Sequence, residues 1–310
     1  MRIKVTIYTI FQLATLLIYY NENVIPAVLG SCPETKDNQD KTCGRSLRRP
    51  LNPRCHLIYQ HIVKGLVSRA DSWPWMVTII TISWHNGSYY KGLCGGVIIS
   101  PFYVLTAAHC FDKNPKFDGV TVRSERRITN DKFKTKSVYN YTRHPLYAKR
   151  LPNHDLALIR IHEEFQIAED HSINRVCLPS TKDESVYANS NCYVMGWGQY
   201  EATKAETSVT LRETCMKYVD RGKCSEIETL SKNMKNIIKR SPIFCGMPVN
   251  DQDGFNGLCG EGDSGGPMVC EKNHTYTLYG IISKGISDIC IFCDVRRNLD
   301  WITSSTLAQG

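Results

Sequence analysis

From Ile62 onward the sequence consists of short apolar runs of the β type, each ended by a turn signal, and this pattern limits the folds open to the chain. Clear examples are residues 75–82, 96–99, 156–161 and 278–283. Short strands at regular spacing, with Gly, Pro and Asn between them, are typical of an all-β barrel or sandwich. Two segments have a helical pattern instead, and we predict helices at 226–239 and, as a short closing helix, at 298–307.

The first thirty residues have the features of a targeting segment. Arg2 and Lys4 supply positive charge, residues 5–20 are largely apolar, and small residues follow at Gly30. This pattern indicates a secretory signal peptide at 1–30. A membrane anchor is the alternative, but the apolar run is short for a span and carries polar residues, so we expect no stable membrane insertion. Residues 31–61 are polar and lack an apolar period, and we interpret them as a pro-segment or linker.

The cysteines point to the compartment in which the chain folds. There are fourteen, an even number, which is typical of an oxidising, extracellular environment. They do not form paired CxxC motifs with zinc spacing, so we predict neither a metal nor another cofactor. Three N-glycosylation sequons agree with a secreted chain, at Asn86, Asn140 and Asn273.

Positive charge is concentrated in one part of the chain. The formal net charge is +8, and much of it lies in residues 113–150. The region is either a solvated surface of mixed charge or a binding surface for an acidic partner or a sulfated glycan. Nucleic acid is not an expected partner, because a secreted chain without interleaved aromatic platforms does not fit that class.

Three segments carry the residue types that acyl transfer needs. Ser264 stands in the glycine-rich stretch 262–267, which suits a tight turn that aims a hydroxyl and two backbone N–H groups at one point. His109 ends an apolar run, and Asp155 precedes another. Near pH 7 a serine hydroxyl needs a base to take its proton, and the base needs a partner that fixes its tautomer. The structural alternatives are an ordinary glycine turn, a packed histidine and a turn cap.

These segments resemble the chymotrypsin/trypsin-like serine protease family over about residues 62–303. Thr-Ala-Ala-His-Cys at 106–110 and Gly-Asp-Ser-Gly-Gly-Pro at 262–267 match the family's motifs, in its His, Asp, Ser order. The resemblance implies an all-β fold of two six-stranded antiparallel β-barrels with a short C-terminal helix. The N-terminal barrel would span about 62–178 and the C-terminal barrel about 179–310, with the active site between them.

The resemblance also implies a role for each residue of the site. Ser264 would be the nucleophile, His109 the general base, and Asp155 the residue that orients the base. The N–H groups of Gly262 and Ser264 would form the oxyanion hole. Ser283 would support Asp155 and begin the strand that pairs with the substrate backbone.

Ile62 and Asp263 imply control by cleavage. In the family a new N-terminal ammonium, here that of Ile62, folds inward and pairs with the aspartate before the nucleophile, here Asp263. Such a pair forms only when both partners are present, because an unpaired buried charge is costly. The resemblance therefore predicts a zymogen. His61 stands where a trypsin-like activator would need Lys or Arg, and Lys64 replaces a usual glycine, so the activator has another specificity or activation is abnormal.

The resemblance further suggests how the cysteines pair. Its disulfides would be Cys94–Cys110, Cys192–Cys270, Cys224–Cys245 and Cys259–Cys290, with a tether to the pro-segment through Cys43–Cys177. The four remaining cysteines are assigned as Cys32–Cys55 and Cys215–Cys293, and in the first pair either cysteine could exchange with Cys43.

The specificity pocket departs from the family. Cys259 stands five residues before Ser264, one more than usual, so the floor is Gly257 counted from the cysteine or Leu258 counted from the serine. Neither is acidic, whereas a preference for Lys or Arg needs a buried negative partner. Asp288 and Asp294, in the opposite wall, are the alternative sources of such a charge.

The opposite wall of the pocket is also altered. Lys284 replaces the usual tryptophan beside Ser283, and the wall from Gly285 to Cys293 lacks the usual Pro-Gly stretch. We therefore predict weak or narrow activity, with a preference for apolar residues. The favoured hypothesis is a secreted serine endopeptidase that acts on proteins or peptides and meets an activating protease and inhibitors. The alternative is a non-catalytic or weakly active homologue that acts as a binding protein, and a lectin-like or adhesion domain would leave the triad unexplained.

Overall fold

The structure, a computed structural model, describes most of the chain from Cys43 onward. The described residues are 43–50, 65–116, 119–124, 134–149, 151–167, 172–181, 191–199, 207–249, 259–286 and 289–307. All of them belong to the compact unit Thr42–Gly310. The predicted signal peptide at 1–30, most of the predicted pro-segment at 31–61, and Ile62, Gly257 and Leu258 lie outside them.

Strands make up most of the described structure. In chain order they are β1 (Leu66–Val67), β2 (Met76–His85), β3 (Ser88–Ile98), β4 (Tyr103–Thr106), β5 (Val120–Ser124), β6 (Lys134–Arg143), β7 (Ala157–Ile161), β8 (Cys192–Gly196), β9 (Arg212–Val219), β10 (Ile243–Pro248), β11 (Pro267–Lys272), β12 (Thr275–Ile286) and β13 (Ile289–Asp294). The α-helices are α1 (Arg221–Cys224), α2 (Lys232–Arg240) and α3 (Leu299–Leu307).

The first barrel is a closed ring of six antiparallel strands in the order β2-β3-β4-β7-β6-β5. Its longest hairpin joins β2 to β3 through Asn86 and Gly87, which have φ angles of 47° and 77°. Asparagine and glycine adopt such positive φ angles more readily than other residues. Side chains such as Ile79, Leu105 and Ile159 are fully buried. Strands β4 and β7 are buried at nearly every position, on both faces, so apolar side chains fill the interior of the ring and also its outer surface there.

The second barrel is built in the same way. Its strands follow the order β9-β10-β13-β12-β11-β8, and pairing of β8 with β9 closes the ring. The rings of Phe244 and Phe292 stack at 5.2 Å between centroids within its core. Strand β1 pairs with β9 from outside this ring. The predicted fold of two six-stranded antiparallel barrels is therefore confirmed.

The helices agree only in part with the sequence pattern. Helix α3 confirms the predicted closing helix. The predicted helix at 226–239 starts six residues later, at Lys232, because the Ser231 hydroxyl accepts the Met234 N–H at 3.2 Å and caps a new helix there. Among the described residues, no helix has the length and apolar character needed to cross a membrane.

Five disulfides lie among the described residues. They are Cys43–Cys177, Cys94–Cys110, Cys192–Cys270, Cys224–Cys245 and Cys259–Cys290. The bond between Cys43 and Cys177 spans 134 residues and holds the described pro-segment residues on the second barrel. Next to it, Gly44 exchanges backbone hydrogen bonds with Arg175 and Tyr276. A crosslink over so long a stretch restricts the unfolded chain strongly.

The predicted disulfide Cys215–Cys293 is wrong. Cys293 is a free, buried cysteine, and Cys215 is disulfide-bonded to another residue. The reason is the strand order, because β10 lies between the strands that carry these two cysteines. Two strand spacings amount to about 10 Å, which exceeds the reach of a disulfide. The predicted Cys32–Cys55 pair lies outside the described residues.

The Cys293 thiol is expected to be inert in the folded protein. Burial, with the nearby charges of Asp155 and Asp294, raises its pKa well above the ordinary value, and only the thiolate reacts rapidly. A maleimide should leave Cys293 unmodified in native protein and modify it fully in guanidinium, as measured by peptide mass spectrometry. Modification of native protein at the rate of an exposed thiol would contradict this prediction.

Candidate active site

Two loops at one end of the first barrel bring His109 and Asp155 together. His109 lies in a single 3₁₀ turn, Ala108–Phe111, which follows β4, and Asp155 precedes β7. Because β4 and β7 pair with Thr106 opposite Ala157, their adjoining loops lie side by side. The Cys94–Cys110 disulfide ties the histidine turn to β3.

The Asp155 carboxylate is the centre of a hydrogen-bond network that joins the two barrels. Its Oδ2 lies 2.7 Å from His109 Nδ1 and accepts the Ser283 hydroxyl at 2.5 Å, while its Oδ1 accepts the His109 N–H at 2.9 Å. Asp155 is 2% exposed. A buried carboxylate only accepts, so it places the imidazole proton on Nδ1 and leaves Nε2 free to accept a proton.

The electrostatics of His109 favour its protonated form. Burial lowers the pKa of His109, but the hydrogen bond and charge of Asp155, together with the charge of Asp112, outweigh burial and raise it above 6.5. The His109 side chain is 29% exposed. The imidazole can therefore take up a proton while it remains open to a reactant.

Ser264 lies in the turn that leads into β11, and this turn is pressed against the first barrel. The Ser264 carbonyl accepts the Gly95 N–H at 2.8 Å, and the Gly265 N–H donates to Ile282 at 2.9 Å. A methyl group on Gly265 would collide with Thr106 Oγ1, at the end of the strand that leads to His109. Gly262 has a φ of 93°, which L side chains rarely adopt. The glycines therefore allow a close approach and place Ser264 at the junction of the barrels.

Asp263, beside Ser264, has a buried carboxylate. It is 1% exposed, and its Oδ1 accepts the Gly198 N–H at 2.7 Å. Among the described residues its Oδ2 has no hydrogen-bond partner. Burial raises the pKa of Asp263 to about 7, although the backbone N–H groups of Gly198, Gly260 and Cys259 lower it. A cation that could reach this carboxylate would stabilise its ionised form.

Comparison with known proteins places this site in a family. The family model described as Trypsin matches residues 62–302, a range that contains Ser264, His109 and Asp155. The chain belongs to the trypsin family. This membership agrees with the serine protease resemblance and with the two-barrel fold.

Curated trypsin-family relatives are similar over most of this chain. A Hepatocyte growth factor activator serine protease from Mus musculus is 30% identical over 292 residues, which cover 89% of this chain and 41% of that protein. Coagulation factor XII from Rattus norvegicus is 29% identical over 308 residues, or 91% of this chain and 47% of that protein. Ovochymase from Halocynthia roretzi is 30% identical over 282 residues, or 87% and 16%. The chain thus spans less than half the length of these relatives.

The trypsin-family pocket residues lie partly outside the described chain. Gly257, Leu258 and Asp288 fall among the undescribed residues. Ser283 is buried on β12, and the next two residues, Lys284 and Gly285, are exposed.

The hypothesis that Asp294 supplies a negative charge in the pocket is wrong. Its carboxylate is buried and bound by the Arg296 guanidinium, with N···O distances of 3.0 and 2.8 Å. A carboxylate already paired in this way is not available to a substrate cation.

A second set of residues supports the Asp155 loop, and the sequence reasoning missed it. His154 stacks on His144 at 4.4 Å between ring centroids, and its Nδ1 lies 2.7 Å from Asn298 Oδ1. Asn298 also donates to the Asp294 carbonyl at 2.7 Å. These contacts join the loop before Asp155 to the start of α3. Their sequence signal was weak, because the partners are far apart along the chain and form no motif.

A group of possible metal ligands beside His109 does not fit a metal. The ligand atoms of Cys94, His109 and Cys110 lie within 4.8 Å of one another. The two cysteines are bonded to each other as a disulfide, however, and so offer no thiolate.

The predicted glycosylation sites differ in their positions. Asn86 and Asn273 are exposed in hairpin turns, whereas Asn140 is half-buried on β6. The turns are the positions where an attached glycan meets least obstruction.

Three described cations of the basic region 113–150 have local contacts. Lys136 lies 3.4 Å from Glu163, Arg143 donates to Asn114 at 3.2 Å, and Lys113 lies over the Tyr90 ring at 4.9 Å. These contacts suit a surface of mixed charge. A role for the region as a binding surface for an acidic partner stays a prediction.

Proposed function

We propose that this chain is a secreted, extracellular serine endopeptidase that hydrolyses peptide bonds through Ser264, His109 and Asp155 and is made as a zymogen. The observation that carries the proposal is the Asp155 carboxylate, which holds His109 by its Nδ1 and its backbone N–H while accepting the Ser283 hydroxyl. This arrangement fixes the one tautomer in which His109 Nε2 can act as a base. Family membership and the disulfides typical of oxidising compartments support it.

The proposed mechanism uses the same three side chains in each of its two half-reactions. His109 Nε2 takes the proton of the Ser264 hydroxyl as Oγ attacks the substrate carbonyl carbon, and the N–H groups of Gly262 and Ser264 stabilise the oxyanion. Asp155 stabilises the imidazolium. His109 then gives its proton to the leaving amine, and the peptide bond breaks to leave an acyl group on Ser264. In the second half-reaction a water molecule attacks the acyl carbon while His109 takes its proton. His109 then returns a proton to Ser264 Oγ, and the carboxylic acid is released.

The state of Asp263 supports activation by cleavage. Its buried Oδ2, which no described residue hydrogen-bonds, suits the ammonium that cleavage before Ile62 would create. We expect the active protein to have Ile62 as its N-terminus, with the Cys43–Cys177 disulfide retaining the pro-segment. If mass spectrometry of active protein never finds an Ile62 N-terminus, the zymogen part of the proposal fails.

A fluorophosphonate probe tests the proposal directly. It should label Ser264 after cleavage between His61 and Ile62 and should label the uncleaved chain far more slowly. Ser264→Ala is the matched control and should remain unlabelled. No labelling of correctly cleaved protein would reject the proposal and favour the alternative, a binding protein on a protease scaffold.

The pH dependence of activity follows from the contacts of His109. Protonated His109 cannot accept the Ser264 proton, so kcat/KM should fall as the pH drops, with a midpoint above 6.5 because the pKa is raised. Asp112→Asn should shift this midpoint to lower pH, because the Asp112 charge raises the His109 pKa. A pH profile of both proteins checks this, and an unchanged midpoint in the variant would contradict it.

A further inference from the structure

The end of β12 and the turn before Ser264 form the two sides of the space beside the nucleophile. On one side lie Ser283, Lys284 and Gly285, where the family resemblance places the substrate. On the other side lie Cys259 and Gly262, in the turn before Ser264. In a trypsin-family protease the side chain of the cleaved residue enters between two such segments, so their separation decides what the site accepts.

Strand β13 lies directly beside the end of β12, with no gap between them. Strands β12 and β13 form a tight hairpin in which Lys284 pairs with Ile291, Gly285 with Cys290, and Ile286 with Ile289. Paired strands lie about 4.8 Å apart, which leaves no room for a side chain between their backbones. The hairpin therefore makes this side of the space a continuous sheet.

A disulfide then joins the two sides across the space. Cys290, the strand partner of Gly285, is bonded to Cys259, with 5.8 Å between their Cα atoms. A methyl group on Gly285 would collide with the Cys259 carbonyl oxygen, so the two sides are in direct contact. Cys259 is 7% exposed and Cys290 is fully buried. The space is thus filled by backbone and by a covalent bond, neither of which can move aside as a flexible side chain would.

We infer that the site accepts glycine or alanine, and no larger residue, as the residue that supplies the cleaved carbonyl. This inference rests on the proposed function. The substrate backbone can still pair with the exposed edge at Lys284 and Gly285 and bring its carbonyl to Ser264. A side chain beyond a methyl group would meet the Cys259–Cys290 disulfide. Recognition therefore depends on the backbone and on substrate residues further from the cleavage point.

A peptide library on protein cleaved before Ile62 tests this inference. Cleavage after Gly and Ala should exceed cleavage after Leu, Phe or Lys by at least about 100-fold in kcat/KM, since a tight pocket rejects extra methylene groups by 10- to 200-fold each. The double variant Cys259→Ala/Cys290→Gly should raise the Phe-to-Gly ratio more than about tenfold. The matched control Cys43→Ala/Cys177→Ala removes a disulfide whose neighbours are Arg175 and Tyr276 and should leave the ratio unchanged.

A second measurement separates this inference from the proposed function. In cleaved Ser264→Ala protein, peptides that differ only in the residue before the scissile bond should bind more tightly with Gly than with Phe. Dominant cleavage after Leu, Phe or Lys, with Ser264 labelled by a fluorophosphonate, overturns the inference and leaves the proposed function standing. If Ser264 is not labelled, or no peptide is cut, binding decides: equal affinity for the Gly and Phe peptides overturns the inference, and tighter binding of the Gly peptide supports it.

Discussion

Replacing Asp155 by asparagine is expected to reduce kcat by about 10⁴-fold without unfolding the protein. Asparagine has nearly the same shape, so its Oδ1 can still accept the His109 N–H, and its amide N–H can donate to the Ser283 hydroxyl in place of the present bond. Its amide nitrogen would, however, donate to His109 Nδ1, and the imidazole proton would then lie on Nε2. His109 in that tautomer cannot accept the Ser264 proton. The measurement is kcat on a peptide substrate, with thermal unfolding to show that the fold is intact.

Ser283→Ala is the matched control for this prediction. It removes one of the hydrogen bonds to Asp155 and leaves the carboxylate and the histidine tautomer unchanged. A hydrogen bond to a charged group contributes about 1.5–3 kcal/mol, so the loss in kcat should be about 10- to 160-fold. An Asp155→Asn variant that loses no more activity than Ser283→Ala would contradict the proposed role of Asp155.

The fold and the candidate triad could be predicted from the sequence because both depend on local signals. Short apolar runs between turn residues predict strands, and the structure closes them into two rings. His109, Asp155 and Ser264 each stand in a short segment whose pattern is legible without knowledge of its partners. The family resemblance implied that the three lie together, and the pairing of β4 with β7 explains the proximity of His109 to Asp155 only once the register is known.

The features that could not be predicted from the sequence depend on which strands become neighbours. The pairing Cys215–Cys293 failed because the closed ring inserts β10 between the strands that carry them. The closed space beside Ser264 has the same origin. The shortened wall after Gly285 was visible in the sequence, but only the hairpin register, with Gly285 opposite Cys290, shows that the Cys259–Cys290 disulfide crosses it.

The second large effect expected is a gain in stability of the uncleaved protein as the pH falls from 7 to 4. Burial raises the pKa of Asp263 from 3.8 to about 7, so between these values the folded state binds a proton that the unfolded state does not. Stability then rises as the pH falls and is lost as the pH rises toward the folded-state pKa. A rise in the pKa from 3.8 to about 7 corresponds to about 4 kcal/mol of unfolding free energy.

Denaturant unfolding of the uncleaved chain from pH 4 to pH 8 measures this effect, and Asp263→Asn should flatten the profile. Asp220→Asn is the control, because Asp220 caps α1 and asparagine caps a helix as well as aspartate does. It should leave the profile unchanged. A profile in Asp263→Asn that keeps the slope of the natural sequence would show that Asp263 is not the source.

Cleavage before Ile62 should change the sign of this dependence. An ammonium next to the Asp263 carboxylate favours the ionised form, so the pKa of Asp263 should fall and its stabilising effect should appear at neutral pH instead. The same substitution, Asp263→Asn, would then relieve an unpaired charge in the uncleaved protein and leave one in the cleaved protein. It should stabilise the first and destabilise the second near pH 7. If it changes both forms in the same direction, the Ile62 ammonium does not reach Asp263, and activation of Ser264 has another cause.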